Sequence, residues 1–302
     1  MSGKLVDRII QLKKDNNAVI LAHYYQLPEI QEIADFVGDS LQLAQKASQT
    51  KADVIVSCGV RFMAETAKIL NPEKMVLLPA SNAGCPMADM VTADALRDKK
   101  AEHPDAVVVT YVNSSAAVKA ESDICCTSSN AVRVVESVPP DQEILFVPDR
   151  NLGQFVASQT GRRIILWDGY CPVHDVLAVQ ELQAQMEAYP DARVVVHPEC
   201  QPDISARADA VKSTAGILDY IKNTDAKTFI VGTEEGFLHT VQQDCPDKTC
   251  YLARKSFVCK DMKQIDLQTL VRSMEGLEEQ VIVPEGIRQK AYQALENMLR
   301  LG

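Results

Sequence analysis

MVLLPASNAGC (75–85), IILWDGYC (164–171) and YLARKSFVC (251–259) each carry an apolar run into a cysteine, and Cys85, Cys171 and Cys259 stand 86 and 88 residues apart. Upstream, VILAHYY (19–25), VVVTYVN (107–113) and VVVHPE (194–199) place His23, Tyr111 and His197 near the ends of apolar runs, at spacings of 88 and 86. Two residues further on stand Tyr25, Asn113 and Glu199, and seventeen residues after the first set stand Ser40, Ser128 and Thr214. The copies keep register while their ordinary residues differ, so three similar units carry chemically able side chains at matching places. Packed about a pseudo-threefold axis, they would bring three thiols and three polar triplets to one cavity. Three cysteines meeting at a point suggest a metal site with one position open.

Each unit reads as β–α–β–α–β–Cys–α. In the first, AVILAH, DVIVSC and KMVLLP are strands. LPEIQEIADFVGDSLQLAQKAS (27–48) has a helical period broken near Gly38, FMAETAKIL is a second helix, and MADMVTADALRDK (87–99) is a helix after Cys85. The second unit repeats this through AVVVTY, SSNAVRVVES, EILFVP, GQFVASQT, RRIILW and VHDVLAVQELQAQM. The third runs through ARVVVH, DAVKSTAGILDYIK, KTFIVG, GFLHTVQQ, TCYLAR and QIDLQTLVRSM. Near-continuous apolar strands alternating with helices predict parallel sheets covered on both faces, an α/β class of three three-layer αβα domains. Their expected extents are residues 1–101, 102–189 and 190–302, the last including a tail with VIVPEG and a helix. Ligands in such sheets bind beyond the carboxyl ends of the strands, where the histidines, Tyr111 and the cysteines fall.

The 302 residues are 46% hydrophobic and 24% charged, values of a soluble globular chain. No apolar run reaches the length of a membrane span, and the amphipathic N-terminus lacks the core of a signal peptide. A formal net charge of −10 argues against a nucleic-acid face. A small anionic substrate is compatible with it, because helix N-termini and histidines act locally. Nine cysteines, an odd number, point to a reducing cytoplasm, where thiols are available to a metal.

Cys58, Cys125, Cys126, Cys200, Cys245 and Cys250 read as packing residues. Cys85, Cys171 and Cys259 read as metal ligands, suited to a four-iron cluster with one non-cysteine iron or to a cysteine-rich zinc site. Pro86 and Pro172 fit the first position of a helix, which would stabilise the thiolates at a helix N-terminus. His23 and His197 read as ligand contacts, while His174, three residues past Cys171, is open between a contact and a structural role. His103 and His239 read as structural. Tyr25 and Glu199 are acid–base candidates, and Ser40, Ser128 and Thr214 are helix caps or anion-binding hydroxyls.

AHYYQ (22–26), GDSL (38–41), GCPMA (84–88), TYVNSSAAVKAESD (110–123), CTSSNA (126–131), PDRNLG (148–153), WDGYCPVH (167–174), HPEC (197–200) and STAG (213–216) run across almost the whole chain. Together they resemble the A-type quinolinate synthases of de novo NAD biosynthesis. The resemblance implies three pseudo-symmetric domains around a central [4Fe–4S] cluster held by Cys85, Cys171 and Cys259, with one iron open as a Lewis acid. It implies condensation of iminoaspartate with dihydroxyacetone phosphate to quinolinate, phosphate and water. An L-aspartate oxidase would be the supplier of iminoaspartate, with no nucleic-acid or membrane partner. The implied active-site residues are His23, Tyr25, Ser40, Tyr111, Asn113, Ser128, His197, Glu199 and Thr214, with Tyr25, Glu199 and His197 catalytic. Some family members carry a CxxCxxC around the third cysteine. Here Cys259 is followed by Lys260, Asp261 and Met262, so thiol–disulfide control of this site is not implied. Two readings of other classes remain: an aconitase-type hydro-lyase, needing no triose phosphate, and a non-enzymatic iron–sulfur or zinc protein.

Overall fold

The computed structural model describes residues 2–302. Twelve strands form three separate four-stranded parallel sheets. The first holds β1 (Ala18–His23), β2 (Phe36–Gly38), β3 (Val54–Cys58) and β4 (Met75–Leu77). The second holds β5 (Val107–Tyr111), β6 (Ile124–Cys126), β7 (Ile144–Val147) and β8 (Ile164–Leu166). The third holds β9 (Arg193–Val196), β10 (Ala210–Val211), β11 (Thr228–Gly232) and β12 (Thr249–Leu252). All three share one order, with the second strand outermost beside the first and the third and fourth on its other side. β3 and β7 are buried along their whole length, as parallel strands covered by helices on both faces must be.

The fold class is therefore α/β with three αβα layers, as the periodicity predicts, but each unit has four strands and not three. The additional strands are β2, β6 and β10. What the sequence reading takes as one broken helix over 27–48 is a helix Pro28–Ile33, then β2, then a helix Ser40–Gln49. A repeated aspartate makes the turn into each edge strand. Asp35 accepts from the Ile20 N–H at 2.8 Å, Asp123 from the Val108 N–H at 2.8 Å, and Asp209 from the Val194 N–H at 2.7 Å. The N–H of each aspartate bonds back to the carbonyl of the same strand residue. This is a further set at spacings of 88 and 86, and it pins the start of every edge strand to the centre of its sheet.

The order makes the first and third strands of each sheet diverge in connection, opening a crevice at their carboxyl ends. His23 ends β1, Tyr111 ends β5 and His197 directly follows β9. Helices that start just beyond these crevices are firmly capped. Asp39 accepts from the Leu41 and Gln42 N–H groups while Gln42 returns a bond to the Asp39 N–H, and Ser213 accepts from Gly216. Ser129 joins them, its hydroxyl 2.7 Å from Asp39 Oδ2 and 2.8 Å from Ser213 Oγ. Residues at the mouths of helices from all three units thus touch one another.

The tail crosses between units. Val281 and Leu78 exchange backbone bonds with Val76 and Glu279 along the open side of β4. The helix Glu285–Arg300 then buries Ala291, Ala294, Leu295 and Met298. Asn130 fastens its end, donating to the Met298 carbonyl at 3.2 Å while its Oδ1 accepts from the Thr127 N–H at 2.8 Å.

Candidate active site

The three crevices meet in one cavity. His23, Tyr25 and Ser40 line it from the first unit, Tyr111, Asn113 and Ser128 from the second, and His197, Glu199 and Thr214 from the third. Cys85, Cys171 and Cys259 complete the wall, with Phe62, Met63, Met87 and Met262 as its apolar part. None of the other six cysteines lines it. No lysine or arginine does so among the described residues.

His23 and His197 are set alike. The Tyr25 N–H reaches His23 Nδ1 at 3.2 Å, and the Glu199 N–H reaches His197 Nδ1 at 3.3 Å. Each Nδ1 is therefore an acceptor, and Nε2 carries the proton. His197 Nε2 lies 3.2 Å from Ser128 Oγ. Burial lowers both histidines to about 3, so each meets a ligand as a neutral N–H donor and not as a cation.

Glu199 is held at both carboxylate oxygens. Tyr111 donates to its Oε1 at 2.7 Å, and His174 Nδ1 lies 2.7 Å from its Oε2. Burial pushes this carboxyl up, but the neighbouring His197 and His174 and the bonds from His174 and Tyr111 outweigh it, and the net shift is downward. The hydrogen bonds from His174 and Tyr111 favour its ionised form. Tyr25 goes the other way: burial, then the Glu199 charge, raise its phenol well above 10. Its Oη lies 2.9 Å from Thr214 Oγ1 and 2.6 Å from Thr233 Oγ1. Asn113 Oδ1 is buried with no partner, an acceptor left for a ligand.

Ser40 and Thr214 are not caps. Asp39 and Ser213 cap those helices, and Ser40 and Thr214 are the first helical residues; both line the cavity, Thr214 with its hydroxyl on Tyr25 Oη. Ser128 stands three residues before the helix Ala131–Ser137.

The cysteines depart from expectation. No helix begins at them: short 3₁₀ turns at Ala88–Met90 and Asp261–Lys263 follow Cys85 and Cys259, and after Cys171 the chain turns before a helix at Val179. Backbone N–H groups of Ala88, His174 and Met262, each three residues on, still favour the sulfurs. Burial wins nevertheless, pushing Cys85 to about 12, Cys259 to about 11 and Cys171 well above its ordinary value. A helix terminus therefore does not make these thiolates; a bound multivalent centre would have to. Cys171, His174 and Glu199 also bring ligand atoms within 4.8 Å of one another, yet both Glu199 oxygens already accept hydrogen bonds.

The sequence leaves His174 open, and the structure puts it at the centre, 3.2 Å from Cys171 Sγ, 2.7 Å from Glu199 and 3.0 Å from Thr233 Oγ1. Thr233 and Glu234, directly after β11, escape the repeat reading altogether. Glu234 accepts from the Cys259 N–H at 3.1 Å and pairs with Lys263 Nζ at 3.0 Å, and Lys263 donates to the Tyr25 carbonyl at 2.6 Å.

The family model described as Quinolinate synthetase A protein matches residues 7–300. The chain belongs to the quinolinate synthase family. A quinolinate synthase of Desulforudis audaxviator is 54% identical over 301 residues, covering 100% of this chain and 99% of the relative. One of Geobacter metallireducens is 53% identical, covering 97% and 96%, and quinolinate synthase 1 of Methanosarcina acetivorans is 51% identical, covering 98% and 97%. The chain is thus an enzyme of the quinolinate synthase family, and no described helix is long and apolar enough to cross a membrane.

Proposed function

We propose that the chain condenses iminoaspartate with dihydroxyacetone phosphate to quinolinate, phosphate and two waters, with a [4Fe–4S] cluster held by Cys85, Cys171 and Cys259. The observation that carries this reading is the meeting of one cysteine and one polar triplet from each unit around a single cavity. The donor set suits the group: three half-buried thiols, each faced by a backbone N–H, form one wall and leave a fourth position to substrate. When bound, the cluster supplies an open iron as a Lewis acid, and the overall reaction balances without an oxidant or reductant.

The substrates bring carboxylates and a phosphate into a cavity without cationic side chains. Their oxygens would be met by the Nε2–H groups of His23 and His197, by the hydroxyls of Ser40, Ser128 and Thr214, and by the N-termini of the helices Ser40–Gln49 and Thr214–Asn223. Each dehydration takes one proton from carbon and gives one to a departing oxygen. Glu199, held ionised, is the base for the first; Tyr25, held protonated, is the acid for the second. Tyr111 and His174 fix the carboxylate, and Thr214 fixes the phenol. Nine free cysteines fit a cytoplasmic setting, where an L-aspartate oxidase would supply iminoaspartate.

The test is an anaerobic incubation with both substrates. Quinolinate release requiring both is the expected result. Its absence overturns the proposal, and dehydration of a single acid without the triose phosphate would favour a hydro-lyase of the aconitase type.

A further inference from the structure

The strand-end turns that carry Tyr25, Asn113 and Glu199 are not locked in one way. In the first and third units an imidazole closes the turn: the Tyr25 N–H donates to His23 Nδ1 and the Glu199 N–H to His197 Nδ1. Tyr111 holds the matching place in the second unit and has no such acceptor; its hydroxyl donates to Glu199. We infer that Lys119 replaces the missing lock, as a positioning residue that fixes the turn at Asn113 and so aims the Asn113 side chain into the cavity. This rests on the cavity being the active site proposed above, where the unpartnered Asn113 Oδ1 accepts a substrate O–H or N–H.

Asn113 is the middle of a three-residue turn. The Val112 N–H bonds to the Cys126 carbonyl at 2.9 Å, and the Ser114 N–H bonds back to the Val112 carbonyl at 2.8 Å. The Ser114 carbonyl, on the far side of the turn, accepts from Lys119 Nζ. Lys119 is 0% exposed, so water does not compete for that bond. Burying a lysine is costly, and a position that needed only packing would hold an apolar residue. Lys119 does not line the cavity and touches no substrate.

The lysine is itself anchored to the first unit. It ends the short helix Ala116–Lys119, and Glu65 accepts from the Ala116 N–H at the start of that helix at 2.8 Å. Glu65 belongs to the helix Arg61–Leu70, whose Phe62 ring centroid lies 5.5 Å from Lys119 Nζ. Phe62 also lines the cavity, so the ammonium stands directly behind its apolar wall. Both ends of the short helix are therefore held by one helix of the neighbouring unit, and Lys119 passes that anchorage on to the Asn113 turn.

The internal repeat supports the assignment independently. The short helices Pro28–Ile33, Ala116–Lys119 and Pro202–Ser205 begin 88 and 86 residues apart, which matches Lys119 to Gln31 and Ser114 to Gln26. Gln31 is buried too, and its amide donates to the Gln26 carbonyl at 2.9 Å. The two side chains thus make the same bond at the same place, one neutral and one basic, so the bond needs a donor of sufficient reach and not a charge. In the third unit the short side chain of Ser205 occupies this place, and Asn151 donates to the Glu199 carbonyl at 3.0 Å instead.

Lys119→Met keeps the reach of the side chain and removes the donor; Lys119→Gln writes the first unit's donor into the second. In the cluster-containing enzyme, Lys119→Met should lower kcat/KM about tenfold or more, and Lys119→Gln should stay within about threefold of the parent. Because Lys119 acts through Asn113, adding Lys119→Met to Asn113→Ala should cost less than about twofold further. A Lys119→Met enzyme within about twofold of the parent, a loss that glutamine fails to restore, or losses that multiply in the double variant would overturn the inference. A second readout needs no turnover. Amide hydrogen exchange over residues 111–115 should be about tenfold faster in Lys119→Met and recover in Lys119→Gln, while residues 23–26 and 197–200, locked by imidazoles, stay unchanged. Unchanged exchange over 111–115, or equal acceleration of all three turns, overturns the inference. So does a Lys119→Met chain that does not fold, since the lysine would then serve the whole structure and not the turn. A parent that makes no quinolinate sinks the proposed reaction, and the exchange result still decides Lys119.

Discussion

Two oxygen acids in one cavity are pushed in opposite directions by what touches them. Glu199 is surrounded by donors and ionises; Tyr25 sits among hydroxyls beside that negative charge and keeps its proton. Tyr25→Phe removes the donor and Glu199→Gln the base, and each should lower turnover about a hundredfold or more with the cluster spectrum unchanged. Near-normal quinolinate formation by both would remove them from the chemistry. The histidines make a separate forecast about stability. Their pKa near 3 in the fold, against an ordinary 6.5, means that below pH 6.5 the unfolded chain binds protons the folded chain refuses. Their contribution is complete above pH 6.5 and declines as pH falls toward 3, at about 1.4 kcal/mol per pH unit for each histidine. Urea unfolding at a series of pH values should show a shallower acid loss for His23→Asn than for the parent; parallel curves would contradict the assignment. The nine polar positions were legible because they recur at fixed spacing. Thr233 was not, because its counterparts are Gly59 and Pro148 and a single hydroxyl in one copy leaves no period to read.

At the level of elements, long apolar strands announced themselves, and the edge strands β2, β6 and β10 did not. They are three, three and two residues long, too short for alternation to register, and they are held by Asp35, Asp123 and Asp209 more than by their own apolar pattern. Those aspartates repeat as regularly as the cysteines and were available to be read. The expected helices directly after the cysteines fail for a different reason: Pro86 and Pro172 suit turns as well as first helical positions, and the chain turns before its helices start. The loops after β11 and β12 carry a testable ion pair. Glu234 is fully buried, holds the Cys259 N–H, and is neutralised by Lys263, which also grips the Tyr25 carbonyl. Lys263→Met leaves that carboxylate unpaired and should cost about 3 kcal/mol in urea unfolding. A cost below about 1 kcal/mol would place the pair with ordinary surface salt bridges.

Across the whole molecule, three sheets of one topology deliver one cysteine, one strand-end ring and one helix mouth each to a common centre. The tail, without a counterpart in the first two units, runs from the edge of β4, through Glu279 and Val281, to the Thr127–Asn130 loop at the end of its helix, and so ties the units together. Threefold convergence was legible because spacing survives where composition drifts; the tail's route was not, since nothing local in its sequence names the edges it covers. The central claim is that Cys85, Cys171 and Cys259 hold one iron–sulfur cluster. Iron analysis of anaerobically purified protein tests it most directly. The parent, Cys58→Ala and Cys250→Ala should each carry about four irons per chain, and Cys85→Ala, Cys171→Ala and Cys259→Ala close to none. Stoichiometric zinc without iron in the parent, or full iron retained in any one of the last three variants, would contradict it.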